Sequence, residues 1–369
     1  MIIGAIKQSG ENRIPIVPGI ISSFNKLGLN VCVESGAGES AFISDSDFKN
    51  AGAEIMSKED LLGQVDILLS INPLSGSEYG LMKKGAIVVS SFEPFSPDKD
   101  YVDIVNDFPI HALSLDMIPR TSRAQSMDIL SSMASLAGYK AVIKAAEHLP
   151  KYFPMLTTAA GTVAPAKVLV LGAGVAGLQA IATAKRLGAV VEAFDLRTAA
   201  KEEVESLGAK FVVVEGAKDD KGAGGYAVEQ TEEYKKLQAK VIADHAAKSD
   251  VVITTALLRG KKAPLLIPES TIVRMKSGSV IVDLASGAGG NSDHSADNEV
   301  VNFKGVTIIG AGNLSNELPV HASELYAKNI LNLLKLFISD GKIDLGIDDD
   351  IVQAIKIKQE ESWMQSSVG

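Results

Sequence analysis

Short apolar runs rich in β-branched residues recur along this chain, and almost every pair is separated by a stretch with helical patterning. The first part of the chain gives "MIIGAI", "NVCVE", "VDILLSI", "AIVVSSF" and "IHALSL". The second gives "KVLVLG", "VVEAFD", "KFVVVE", "DVVITT", "SVIVDLA" and "VTIIG". A strand that is apolar at consecutive positions, rather than at alternate ones, must be covered on both faces. Such strands alternating with helices build parallel sheets sandwiched between helical layers, so the expected fold class is α/β. Eleven strands are too many for one ordinary sheet, and 369 residues too many for one ordinary core. Two Rossmann-like, doubly wound domains are therefore expected.

Two long helical stretches join them. One starts near Gln125 and runs through "SMDILSSMASLAGYKAVIKAAEHL", with Ile129, Met133, Leu136 and Ala137 at helical spacing and Ser122 and Gln125 placed as a capping box. The other is "SELYAKNILNLLKLFISDG". If the chain enters the second domain on the first helix and leaves it on the second, residues 1–128 and 317–369 form one domain and 129–316 the other.

Charge and cysteine usage exclude several functions. The net charge is −9 with no basic run, which argues against nucleic acid and against a polybasic membrane anchor. Cys32 stands alone, so no internal disulfide and no cysteine-built metal site is expected, and a reducing compartment suits it. The start, "MIIGAIKQSGENR", has no basic segment ahead of its apolar residues, and no signal peptide is expected. The longest apolar stretch, "VLVLGAGVAGLQAIATA", has 17 residues and three glycines, short of a membrane span.

That stretch carries the strongest motif. Gly172, Gly174 and Gly177 stand in G-x-G-x-x-G spacing, directly after an apolar strand and at the opening of a helix. The first glycine permits a tight turn, the second lets backbone approach a pyrophosphate, and the third lets helix and strand pack closely. The helix N-terminus at Val175 and Ala176 then faces the phosphate charge. The next strand ends in "AFDLR", with Asp195 18 residues past Gly177. A carboxylate there accepts from a ribose 2′-hydroxyl and repels a 2′-phosphate, favouring NAD(H) over NADP(H). Leu196 flanks it, and Arg197, two residues on, opposes that preference.

Two polar segments need explanation. "EGAKDDKGAGGYAVEQTEEYKKLQ" is charged and glycine-rich, and carries Gly225 and Tyr226. A segment like this inside an α/β domain is either a lid or a solvated loop. "PRTSRAQSMD", residues 119–128, places Arg120, Arg123, Gln125 and Asp128 ahead of a helix. Two fork-shaped cations, an amide and a carboxylate ask what they grip, and Asp128 is expected to fix the segment by accepting from Arg120 or Arg123.

Equally informative is what is missing. An enzyme that oxidises an alcohol or amine must also move an O–H or N–H proton, usually with His, Lys or Tyr. His111, His148, His245, His294 and His321 form no triad or metal-ligand pattern. If only a hydride moves between two carbon atoms, no acid–base residue is required and positioning dominates.

These residues together resemble a known family. "SRAQSMDILSSMASLAGYKAV", "AAGTVAPAKVLVLGAGVAGLQAIATAKRLGAVVEAFDLR", "AGGYA" and "ITTALLRGKKAPLLI…MKSGSVIVDLASGAGGN" are similar to the NAD(H)-binding component of proton-translocating NAD(P) transhydrogenases. The resemblance covers nearly the whole chain. It implies a homodimer that docks on an NADP(H)-binding subunit and a proton-conducting membrane subunit, at the cytoplasmic face of the inner membrane. It implies that NAD(H) binds this chain and NADP(H) binds the partner. Arg120, Gln125 and Asp128 match the family's loop over the nicotinamide, and Tyr226 its mobile-loop tyrosine. Asp195 matches the adenosine-ribose acid, and Thr255, Ala256 and Leu257 the segment beside the nucleotide. The chain departs from the family's usual "GERRVALVP" in "GENRIPIVP", which keeps Arg13, in Ser286 and Gly287 after "VDLA", and in "GAGNLSNELPVHAS", which keeps Asn313.

Two other readings remain. Alanine dehydrogenase shares the fold, but its substrate lysine and histidine belong near "LLSINP" and "VVSSFEP", where this chain has Asn72 and Phe92. A nucleotide-sensing Rossmann module without catalysis leaves residues 119–128 unexplained.

Overall fold

The computed structural model describes residues 1–96, 100–216 and 231–357. The chain separates into two compact units, residues 1–133 with 316 onward, and residues 134–315. The outward crossing lies inside the helix Ile129–His148. The return crossing precedes the helix Pro319–Leu334, which belongs wholly to the first unit.

The first unit is built on a parallel sheet of β1 (Ile2–Ala5), β2 (Asn30–Glu34), β3 (Glu54–Met56), β4 (Ile67–Leu69), β5 (Ile87–Ser90) and β6 (His111–Ser114). Its order is β3-β2-β1-β4-β5-β6, which reverses direction between β1 and β4. Alternate residues of the same strands feed separate cores. Ile3, Val33, Ile67 and Val89 pack with Phe24 and Tyr326 from covering helices. Cys32, Leu68 and Val88 pack with Leu61, Tyr79 and Val105. Two buried faces are why these strands read as unbroken apolar runs.

The second unit opens with a hairpin, β7 (Leu156–Thr158) and β8 (Gly161–Val163), and continues as β9 (Lys167–Leu171), β10 (Val190–Phe194), β11 (Lys210–Phe211), β12 (Val251–Thr254), β13 (Val280–Asp283), β14 (Val300–Phe303) and β15 (Val306–Gly310). The main sheet runs β11-β10-β9-β12-β13-β15-β14, parallel except for β14 against β15. Val168, Val170 and Ile253 share one core with Ala141 and Ile181, whereas Leu169, Leu171 and Val252 share the other with Tyr234 and Ile272.

All eleven expected runs contain strands, and two further strands appear in the main sheets. β3 is a three-residue edge strand and β14 an antiparallel edge, both with partly exposed residues, so neither carries the apolar run that a buried strand does. The helix expected from Gln125 begins later. Residues Ser122–Met127 form a 3₁₀ helix, and the α-helix starts at Ile129. The expected capping box of Ser122 and Gln125 does not form, since the 3₁₀ helix is preceded by Thr121 without a side-chain cap. The Asp128 carboxylate caps instead, accepting from the Ser131 backbone N–H at 2.9 Å and the Ser131 hydroxyl at 2.6 Å.

Candidate functional site

The glycine loop lies at the carboxyl end of β9, where the strand order of the second unit reverses between β9 and β12. Open α/β sheets bind ligands at such reversal points, because the loops on either side diverge and leave a crevice. Gly172 turns the chain with φ +100°, and a Cβ there would come 2.4 Å from the Thr255 hydroxyl oxygen. That hydroxyl lies 3.2 Å from both the Leu171 and Gly172 carbonyls, so Thr255, just past β12, holds the turn. A Cβ on Gly177 would come 1.9 Å from the Gly172 carbonyl oxygen, so only glycine lets the helix Val175–Arg186 pack this close. A Cβ on Gly174 would meet nothing within 4 Å. Its lack of a side chain serves open space rather than packing. Gly174 is also the helix N-cap and makes no side-chain cap bond, which leaves the N–H groups of the first turn for a ligand.

Asp195 follows β10 and faces this loop. Its carboxylate accepts from the Ala173 N–H at 2.7 Å and the Arg197 N–H at 2.8 Å. The Arg197 side chain adds bonds from Nε at 3.0 Å and Nη2 at 3.2 Å. The hydrogen bond to Asp195 raises the Arg197 guanidinium above its ordinary range. The first unit repeats the backbone part of this device: Glu34, ending β2, accepts from the Lys7 N–H at 2.7 Å.

Beyond Thr255, Ala256 is half-buried and Leu257 is exposed. Ala256 is fixed by a residue that sequence reasoning missed. Asn291, fully buried, accepts from the Ala256 N–H and donates to the Ala256 and Pro264 carbonyls. Asn291 is held in turn by Asp283, at the end of β13, which accepts its backbone N–H at 2.8 Å. Only the glycine-rich segment around Asn291 hinted at a role. Leu196 is half-buried beside Asp195. Gly225 and Tyr226 lie outside the described residues.

Arg120, Gln125 and Asp128 belong to the first unit, and the glycine loop, Asp195 and Thr255–Leu257 to the second. Gln125 is exposed, and its amide makes no hydrogen bond among the described residues. Arg123 does not engage Asp128, as its place in the sequence suggests. It pairs with Asp349, Nη1 to Oδ2 at 2.6 Å, and with Asp350. Both acids sit at the start of the short helix Asp350–Ala354, whose first N–H groups Asp349 also caps. Among the described residues no cluster of three or more His, Cys, Asp or Glu is arranged for a metal ion, and no helix is long and apolar enough to cross a membrane.

Comparison with known proteins extends this picture. Residues 5–137 match the family model "Alanine dehydrogenase/PNT, N-terminal domain", and residues 141–365 match "Alanine dehydrogenase/PNT, C-terminal domain". An NAD(P) transhydrogenase subunit alpha polypeptide of Rhodospirillum rubrum is 47% identical over 336 residues, 89% of this chain and 87% of the relative. The crystal structure of a transhydrogenase from Sinorhizobium meliloti is 40% identical with a TM-score of 0.88, covering 96% of this chain and 98% of the other. An alanine dehydrogenase of Mycolicibacterium smegmatis is 30% identical over 77% of this chain and 71% of its own.

Proposed function

The chain belongs to the alanine dehydrogenase/PNT family, and on that premise we propose that it is the NAD(H)-binding subunit of a proton-translocating NAD(P) transhydrogenase. The observation that carries this reading is the meeting of three strand ends at one reversal point: Gly172 after β9, Asp195 after β10 and Thr255 after β12. Bound NADH supplies the hydride, which passes directly to NADP⁺ held by a partner subunit. A membrane subunit couples that transfer to proton movement.

The chain's own residues bind and orient. Gly174 leaves room for a pyrophosphate, and Val175 and Ala176 offer backbone N–H groups to it. Asp195 accepts from the adenosine ribose. Thr255, Ala256 and Leu257 line the nucleotide. Arg120, Gln125 and Asp128 set the nicotinamide against the partner's. Transfer between two carbons leaves no proton for the protein to move, so the reaction asks for no acid–base residue.

The amino-acid dehydrogenase alternative finds less support. The Arg13 side chain, the remaining cation of that pocket, is clasped by Glu11, Nε to Oε1 and Nη2 to Oε2 both at 2.7 Å. Asn72 donates to the same Glu11 carboxylate at 3.3 Å, and Phe92 is fully buried. Purified protein with NAD⁺ and alanine should form no NADH. Steady NADH formation would favour the dehydrogenase.

Assembly as a homodimer accords with the β7–β8 hairpin. All six of its strand residues are exposed, as are the flanking Tyr152 and Met155. An isolated two-stranded hairpin is marginal in water, and a second copy of the chain would cover it. We place the dimer in the cytoplasm, peripherally attached to the inner membrane through the membrane subunit. The decisive test is reconstitution with an NADP(H)-binding subunit and a membrane subunit, followed by assay of hydride exchange between the two nucleotides. Absence of exchange with a subunit pair competent in its own native complex would overturn the assignment.

A further inference from the structure

The Asp195 carboxylate is saturated without any ligand. A carboxylate offers about four acceptor positions. Here two are filled by the backbone N–H groups of Ala173 and Arg197, and two by the Arg197 guanidinium. The two pairs differ in kind. The backbone donors are fixed by the turn and by β10. The guanidinium is carried on a flexible chain and is 32% exposed, whereas the Asp195 side chain is 10% exposed. Its Nη2 also bonds the Ala173 carbonyl at 3.3 Å, which lays the side chain across the mouth of the glycine loop.

A ribose diol carries two O–H donors and needs two acceptor positions. The backbone bonds cannot yield without unmaking the turn, so the guanidinium must. Once displaced, its head remains tethered two residues from Asp195, near where a 2′-substituent of the ribose would stand. A cation there offsets the repulsion between Asp195 and a 2′-phosphate.

We propose that Arg197 is a specificity-determining residue of the dinucleotide site: it occupies Asp195 as an internal stand-in for the ribose diol, and when displaced it weakens the rejection of a 2′-phosphorylated nucleotide. This rests on the reading of the second unit as an NAD(H) site. Two consequences distinguish it from a structural role. The empty site never exposes an unpaired, mostly buried carboxylate, and the preference for NADH over NADPH is held below what Asp195 alone would impose.

The test is a titration of the whole chain with NADH and with NADPH by calorimetry, for the native protein, Arg197→Ala and Arg197→Gln. The native protein should bind NADH. Arg197→Ala should bind NADPH at least about tenfold more weakly while NADH affinity rises or stays within about twofold, so the preference widens. Arg197→Gln keeps uncharged donors for Asp195 and should widen it to a similar extent, because the lost charge is what matters. Equal weakening of both nucleotides in Arg197→Ala, or no change in either, would overturn the proposal. So would a narrowed preference. Should Arg197→Ala fold poorly, the same criteria apply to Arg197→Gln. Failure of the native protein to bind NADH at all would instead overturn the functional reading on which this one stands.

Discussion

The side-chain amide of Asn291 bonds both backbone groups of Ala256, Oδ1 accepting the N–H at 3.0 Å and Nδ2 donating to the carbonyl at 2.9 Å. A third bond ties Nδ2 to the Pro264 carbonyl at 2.8 Å. One side chain thus joins the segment after β12 to the loop before Pro268. Removing it strands three half-buried backbone groups at once. Asn291→Ala should lower unfolding free energy by about 2–4 kcal/mol, since each stranded group costs about 1–3 kcal/mol and water recovers part. Chemical denaturation of the two proteins would measure this. A loss below about 0.5 kcal/mol would mean that water replaces the amide fully.

The glycines of the motif should separate packing from binding. In Gly177→Ala the new methyl meets the Gly172 carbonyl oxygen, and the helix must move. Overpacking of this kind costs about 1–3 kcal/mol, seen as a lowered unfolding midpoint. In Gly174→Ala the methyl meets nothing and φ is −76°, so stability should change by less than about 0.5 kcal/mol. NADH affinity should nevertheless fall at least about tenfold, or ~1.4 kcal/mol, because the methyl stands where the pyrophosphate approaches. Equal affinity for Gly174→Ala and native protein would remove this glycine from the nucleotide site.

How much of this is legible in the sequence depends on the range of the interaction. Gly172, Gly177 and Asp195 are readable because a tight turn, a close helix and a ribose acid follow one another within one β-α-β unit. Asn291 is not, because its partners lie 27 and 35 residues away and nothing in a glycine-rich loop marks an asparagine as buried. Arg123 misleads for the same reason. Its spacing from Asp128 invites a local pair, but its partners are 226 and 227 residues away, near the other end of the first unit. The late start of the helix at Ile129 also has a local cause. Asp128 commits its carboxylate to Ser131, and an N-cap residue is by geometry outside the helix.

Acid should loosen the contact between Arg123 and Asp349. Asp349 is held below the ordinary carboxylate range, first by the hydrogen bond from Arg123 and further by the Val352 and Ile351 N–H groups. The folded protein therefore prefers the charged form more strongly than the unfolded chain does. The resulting stability is complete above the unfolded value, near 3.9, and is lost as pH falls through the depressed folded value. Asp349→Asn should be less stable at neutral pH, by a small margin because the Arg123 side chain is half exposed and solvent screens the pair. The difference between variant and native protein should shrink below about pH 4. Denaturation curves collected from neutral pH downward would show it, and a gap that persists unchanged into acid would mean that Arg123 does not sense the Asp349 charge.

Gln125 should serve the hydride step far more than it serves NADH binding. It stands in the 3₁₀ helix Ser122–Met127, exposed and with its amide uncommitted among the described residues. The turn beneath it is well fixed: Ala124 and Met127 are buried, and the Ser126 carbonyl accepts from Asn329 at 2.9 Å and Asn332 at 3.1 Å. A free amide on a fixed turn can donate to a ribose hydroxyl without adding charge beside the nicotinamide. Reacting carbons must approach to about 3–3.5 Å, and a misplacement of about 1 Å can cost on the order of 10²-fold in rate. Gln125→Asn keeps the amide and shortens its reach by one methylene. It should slow hydride transfer in the reconstituted complex at least about tenfold, or ~1.4 kcal/mol. NADH affinity should change by less than about threefold, because the glycine loop and Asp195 are untouched. Stopped-flow transfer beside an NADH titration would decide it: a loss of affinity in proportion to rate would make residues 119–128 an ordinary part of the nucleotide site, and an unchanged rate would remove Gln125 from the reaction altogether.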